Sequence, residues 1–447
     1  MNKLTVAILG GLGLLAVVFL IAVSAPYWFA TKQEAKVDVR DPQLITKGEY
    51  LARAGDCTAC HTAPGERPFA GGLAMQTPMG TVYSTNITPD KNTGIGDYSY
   101  GDFERAVRRG VRPDGAPLYP AMPYASYVVV SDNDIQALYA YFMSSVEAVG
   151  QNNRPTTIPW PLGMRWPLAW WQLLFAQPRR FVTDPLLNAD QQRGAYLVEG
   201  LAHCGACHTP RGIAFQEEVV RDVDGGTYLS GSVLEGWYAK NLRKESTGLA
   251  SWTEDQVVDF LRTGRTKRTA AFGSMADVVA HSTQYLSEYD LRGMARYLKQ
   301  LPARENRSKA WVPKEDTTTA KLRAGDYSEP GATRYVEYCA VCHRLDGRGA
   351  PRVFPALAGN SIVFADDPSS LIQVTLAGGA MAKTAHDRMA FVMPGFDQLR
   401  NREVAEILTF IRNGWGNHGT EVRDSDVARM RRLVDHKPTH YVPGPKQ

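Results

Sequence analysis

Charge of one sign is missing from this sequence: 50 Lys and Arg stand against 46 Asp and Glu in 447 residues, a net charge of +4. Binding along a phosphate backbone needs a basic footprint that this balance does not supply, which excludes nucleic acid as a partner. Surplus cysteine is also missing. All six cysteines fall in three pairs, so a framework disulfide would have to break one of them. No G-x-G-x-x-G opens a βα unit and no nucleophile–base arrangement stands out, so the chain shows no site for substrate chemistry. With 44% hydrophobic and 21% charged residues the composition excludes disorder and collagen. At roughly 150 residues per domain the length calls for about three domains.

What is present is one motif, three times. Cys57-Thr58-Ala59-Cys60-His61, Cys204-Gly205-Ala206-Cys207-His208 and Cys339-Ala340-Val341-Cys342-His343 share the spacing C-x-x-C-H. Two thiols one helical turn apart can each form a thioether to a porphyrin, and the adjacent imidazole then falls within reach of its iron. A C-x-x-C pair also serves in zinc sites and redox dithiols, but three copies with an immediate histidine and no second C-x-x-C nearby disfavour both. The reading is three covalently bound haems c.

Residues 6–23 form an uncharged apolar run preceded by Lys3. Its length, and the lack of a good small-x-small cleavage site around Val23-Ser24-Ala25, favour an uncleaved N-terminal membrane anchor over a removed signal. Lys3 on the cytoplasmic side and Tyr27/Trp28 at the far interface would place everything after about residue 30 outside the cytoplasm.

Each motif is preceded by a recurring glycine and aromatic: Gly48 and Tyr50, Gly194 and Tyr196, Gly331 and Tyr335. Each is followed by a Gly/Pro-rich stretch and then a helical pattern, over Asp132–Ser144, Glu288–Gln300 and Arg402–Asn413. A helix ending in C-x-x-C-H, a loop-rich middle and a closing amphipathic helix give an all-α expectation, that of three tandem class I-like cytochrome c domains. The sixth iron ligand should come from a Pro/Gly-flanked loop before the closing helix. Met122, Met275 and Met393 occupy such places, and thioether ligation leaves no open position for substrate. Met75, Met79, Met294, Met381 and Met389 compete, and His203 or His281 is an alternative to Met275.

The stretches Gly48–Arg53, Cys57–Gly65, Phe69–Gly72, Tyr83–Asp90, Thr93–Gly96 and Leu118–Tyr124 resemble the triple-haem cytochrome c subunit of membrane-bound periplasmic dehydrogenases. The resemblance continues through His203–Gly212, Gly236–Ala239, His281–Tyr285, Val353–Asn360 and Trp415–Asn417. It implies Cys57, Cys60, Cys204, Cys207, Cys339 and Cys342 as haem anchors, His61, His208 and His343 as proximal ligands, and Met122, Met275 and Met393 as distal ones. It further implies a large dehydrogenase catalytic subunit as electron donor, acting on alcohols, aldehydes or sugars, ubiquinone as acceptor, and a place on the periplasmic side of the bacterial inner membrane. The expected organisation is a membrane segment to residue 35, haem domains over 36–150, 184–303 and 326–420, a Trp-rich connector over 151–183, a plain linker over 304–325 and a polar tail over 421–447. The Trp-rich connector either lies in the bilayer interface or is an interdomain helix buried against the haem units. A multihaem peroxidase, and a freestanding or oxidase-linked cytochrome, are the rival functions.

Overall fold

A computed structural model describes residues 35–304, 311 and 317–435, with scattered positions between 10 and 19. The apolar run 6–23 therefore lies for the most part outside the described residues, as does the end of the polar tail. Among the described residues no helix is long and apolar enough to cross a membrane. The chain divides into two compact units, one of Met1–Leu51 with His61–Phe181 and one of Ala52–Cys60 with Val182–Gln447.

The first unit holds most of α1 (Pro42–Ala54), then the ribbon β1 (Ala74–Thr77) and β2 (Gly80–Tyr83), α3 (Tyr100–Arg109), α4 (Tyr124–Tyr127), α5 (Asp132–Ser144) and α6 (Pro167–Phe175), while α2 (Cys57–His61) runs across the boundary with only His61 in this unit. The second holds α7 (Ala189–Tyr196) with a π-helical turn at Leu197–Leu201, α8 (Gly205–His208), β3 (Ser232–Leu234), β4 (Trp237–Ala239), α9 (Glu254–Thr263), α10 (Ser274–His281) and α11 (Glu288–Gln300). It continues through α12 (Thr317–Arg323), α13 (Ala332–Tyr338), α14 (Ala340–His343), α15 (Ser369–Ala377), β5 (Gly379–Ala380), β6 (Val392–Met393), α16 (Asn401–Asn413) and α17 (Asp424–Asp435). The fold is mostly helical, but not purely α. Each motif is followed by one two-stranded antiparallel ribbon of two to four residues per strand, too short for an alternating pattern to show in the sequence.

One packing device recurs. The recurring glycine before each motif is where the leading helix crosses the closing one. A Cβ on Gly48 would stand 2.0 Å from the Ala137 carbonyl oxygen in α5, one on Gly194 2.0 Å from that of Gly293 in α11, and one on Gly331 2.3 Å from that of Glu406 in α16. Only hydrogen at these positions lets the two backbones approach so closely. The acid at the third position of each closing helix pairs with a cation of the leading helix: Asp134 with Lys47 at 2.6 Å, Asp290 with Arg193 at 2.8 Å, Glu403 with Arg334 at 3.0 Å. Ser131 and Ser287 cap the first two closing helices by accepting from the Asp134 and Asp290 backbone N–H groups, satisfying donors that a helix start leaves unpaired.

Two segments are more ordered than the sequence suggests. Within 304–325, where a plain linker is expected, α12 buries Thr319 and Leu322, and Leu322 joins the apolar core formed with α13, α15 and α16. The polar tail contributes α17, whose Val427 and Met430 join the same core together with Val422. In both cases a few apolar residues among many polar ones supply the buried stripe, a weak signal without knowing what they face.

Candidate haem-binding sites

The thiols of each motif stand one turn apart on a short helix, as the spacing requires. Burial, the largest influence on each, pushes Cys57, Cys60, Cys204 and Cys339 up to about 12 and Cys207 up to about 11. These are not the depressed thiols of a redox dithiol. Among the described residues no three His, Cys, Asp or Glu side chains gather as a metal cluster, so the half-zinc-site reading finds no partner ligands.

The three histidines share one orientation device. Nδ1 of His61 lies 2.7 Å from the Thr85 carbonyl oxygen, Nδ1 of His208 2.7 Å from that of Lys240, and Nδ1 of His343 2.9 Å from that of Pro355. A carbonyl only accepts, so Nδ1 carries the proton and Nε2 is left with a free lone pair. Burial lowers all three imidazole pKa values, to about 4 for His208, against the opposing pull of the carbonyl bond. Each ring is thus held neutral and fixed in the tautomer that presents Nε2 to a metal. The accepting carbonyls escape a motif search because their side chains do not matter, although Thr85, Lys240 and Pro355 lie inside or beside stretches that carry the family resemblance.

In the second unit one apolar cavity takes in two of the motifs. Cys204, Cys207, His208 and Met275 line it together with Cys339, Cys342, His343 and Met393. Its walls are mainly aliphatic and aromatic, among them Trp237, Trp252, Phe260, Phe354 and Phe396, which suits a flat apolar macrocycle. Met275 sits in the first turn of α10, not in a loop. Its helix starts at Gly273, whose φ of 56° and close approach to Trp237, 2.3 Å from a Cβ, admit only glycine. Met393 lies on β6, paired with Gly379.

In the first unit Met122 is half-buried in a tight turn, its N–H donating to the Tyr119 carbonyl at 3.2 Å. The competing methionines separate by position. Met389 and Met79 are exposed and Met75 packs with Val82, Tyr119 and Ile158, whereas Met294 and Met381 are buried and line the cavity. Of the two rival histidines, His203 also lines the cavity with its ring hydrogen-bonded to the Gly55 backbone, while His281 is exposed. Two motifs with their expected methionines are therefore brought into one space, and the thiols, histidines and apolar walls fit a covalently held haem.

Comparison with known proteins agrees with this chemistry. Residues 328–415 match the Cytochrome c family. The chain is 50% identical over 403 residues to the gluconate 2-dehydrogenase cytochrome c subunit of Pantoea cypripedii, covering 88% of this chain and 91% of that one. It is 46% identical over 427 residues to the cytochrome c subunit of the quinone-type alcohol dehydrogenase of Gluconobacter oxydans (strain 621H), with 94% and 87% covered. With the fructose dehydrogenase cytochrome subunit of Gluconobacter japonicus it shares 36% identity over 409 residues, covering 87% and 82%.

Proposed function

Since the chain belongs to the family of cytochrome c subunits of gluconate, alcohol and fructose dehydrogenases, we propose that it relays electrons from a catalytic dehydrogenase subunit through three covalently bound haems c to ubiquinone, on the periplasmic face of the inner membrane. The observation that carries this reading is the threefold Nδ1–carbonyl bond at His61, His208 and His343. A half-buried imidazole locked in one tautomer beside two thiols is built to hold iron.

Bound haem iron supplies one-electron exchange between its ferrous and ferric states. The chain's residues do the rest. Cys57 with Cys60, Cys204 with Cys207 and Cys339 with Cys342 would hold each haem covalently, and His61, His208 and His343 together with Met122, Met275 and Met393 would ligate its iron. A soft thioether ligand would raise the potential and deny substrate an open position, which favours electron transfer over peroxidase chemistry. The shared cavity of the second and third motifs suits transfer between neighbouring haems without a mobile carrier. The substrate oxidised is the business of the catalytic partner.

Purification in mild detergent tests the reading. A large dehydrogenase subunit should co-isolate, and intact-mass spectrometry of this chain should show three haem additions. Fewer additions, or a stoichiometric oxidase core in place of the dehydrogenase, would overturn it.

A further inference from the structure

The segment 158–175 reverses the usual sense of a surface helix. α6 reads Pro-Leu-Ala-Trp-Trp-Gln-Leu-Leu-Phe and carries no charge. Its one polar side chain points inward: Gln172 is 2% exposed and donates from Nε2 to the Gly110 carbonyl at 2.8 Å. Large apolar side chains stand exposed ahead of the helix, Trp160 at 82%, Leu162 at 57% and Trp166 at 58%, and on it Leu174 at 65%. An amphipathic helix on a water-facing surface shows the opposite arrangement, and an exposed apolar patch of this kind marks an interaction site.

Phe19 indicates what covers it. This residue belongs to the apolar run 6–23, and its ring centroid lies 5.1 Å from that of Trp170. If that run crosses the bilayer with Tyr27 and Trp28 at the outer interface, Phe19 lies about 6 Å inside the run's outer end at 1.5 Å per residue. Trp170 then shares the depth at which interfacial helices bury their apolar face. Exposed Arg180 follows at the polar edge, as expected beside headgroups.

We infer that residues 158–175 form an interfacial wedge seated in the outer boundary of a phospholipid bilayer. The inference rests on the membrane reading above. It also bears on the first C-x-x-C-H unit. The wedge segment grips the Met122 loop, through Tyr119 Oη donating to the Gly163 carbonyl at 3.3 Å, Arg165 donating to the Pro117 carbonyl at 3.0 Å, and the edge of Trp171 against Tyr124. The loop that carries Met122 is therefore tied directly to the wedge.

The test is photolabelling of the intact complex in vesicles of phosphatidylcholine and phosphatidylglycerol doped with a diazirine-tailed phosphatidylcholine, with adducts mapped by peptide mass spectrometry. Adducts on both 158–175 and 6–23 are expected. Adducts on 6–23 alone overturn the wedge and leave the membrane reading intact, whereas adducts on neither overturn both. Cross-linking of 158–175 to the catalytic subunit without lipid adducts also overturns the wedge, assigning the face to that partner. A W160S/L162S/W166S variant that keeps three haem additions should lose the adducts on 158–175 and keep those on 6–23. Undiminished labelling of 158–175 in that variant overturns the inference.

Discussion

Lys240 Nζ donates to Ser361 Oγ at 2.7 Å, while the carbonyl of the same lysine holds His208 Nδ1. Beside Ser361, Asn360 donates to the Ala356 carbonyl at 3.0 Å, next to Pro355, whose carbonyl holds His343. A short series of hydrogen bonds and covalent links thus connects the histidines of the second and third motifs. Burial pulls the Lys240 ammonium down to about 7, and its other bond is to the Gly248 carbonyl at 2.9 Å.

Replacing Lys240 with Met keeps most of the volume but strands both acceptors. A buried acceptor left unpaired costs about 1–3 kcal/mol, so K240M should lower the denaturant midpoint of the haem-loaded protein by a corresponding amount. An unchanged midpoint would show that water takes over both bonds.

The helix crossing at Gly194 is the least forgiving packing contact. Alanine there would put a methyl 2.0 Å from the Gly293 carbonyl oxygen, forcing α7 and α11 apart. Overpacking of this kind costs about 1–3 kcal/mol, and G194A should melt at a lower temperature than the wild type. G65A is the control, since a Cβ at Gly65 meets nothing within 4 Å; its φ of 80° makes it a test of backbone strain alone.

Leucine in place of Met122, Met275 or Met393 removes the thioether and keeps an apolar side chain. Each single variant should convert one haem from six-coordinate low-spin to five-coordinate high-spin, read by optical and electron paramagnetic resonance spectra, and should lower that haem's potential. A fully low-spin M275L protein would give the ligand role to His203 or Met294, both of which line the same cavity.

Acid should weaken the third closing helix through Glu403. Its carboxyl accepts from the Arg400 side chain at 2.7 Å and backbone N–H at 2.8 Å, and from Arg334 at 3.0 Å. The Arg400 bonds lead in pulling its pKa from the ordinary 4.5 to about 2. A folded pKa below the unfolded one means that the stabilisation is present above about 4.5 and is lost as pH falls through 2. The melting-temperature gap between wild type and E403Q should therefore be full at neutral pH and close between those values. A gap that stays constant down to pH 2 would show that the carboxylate charge is not what matters.

Much of the site was legible because its signals are local. The three C-x-x-C-H motifs needed only adjacent residues, and the closing helices at Asp132–Ser144 and Glu288–Gln300 match their periodic pattern, with the third starting one residue early at Asn401. The glycines before each motif were visible as a repeat, although their reason was not. Their requirement comes from Ala137, Gly293 and Glu406, about 75–100 residues away in the chain. Gly273 was visible as the glycine flanking Met275, but not why only glycine fits there: a Cβ would stand 2.3 Å from the Trp237 ring, which only folding brings close.

Sequence alone located the three C-x-x-C-H motifs, because two thiols and an imidazole within one helical turn are neighbours in the chain. Tertiary structure decided what those atoms face: which carbonyl locks each imidazole, that the second and third motifs open on one cavity, and that α6 turns its glutamine inward while Trp160 and Trp166 ahead of it stand exposed. Those relations join residues far apart along the chain, and burial is a property of the partner surface as much as of the residue buried.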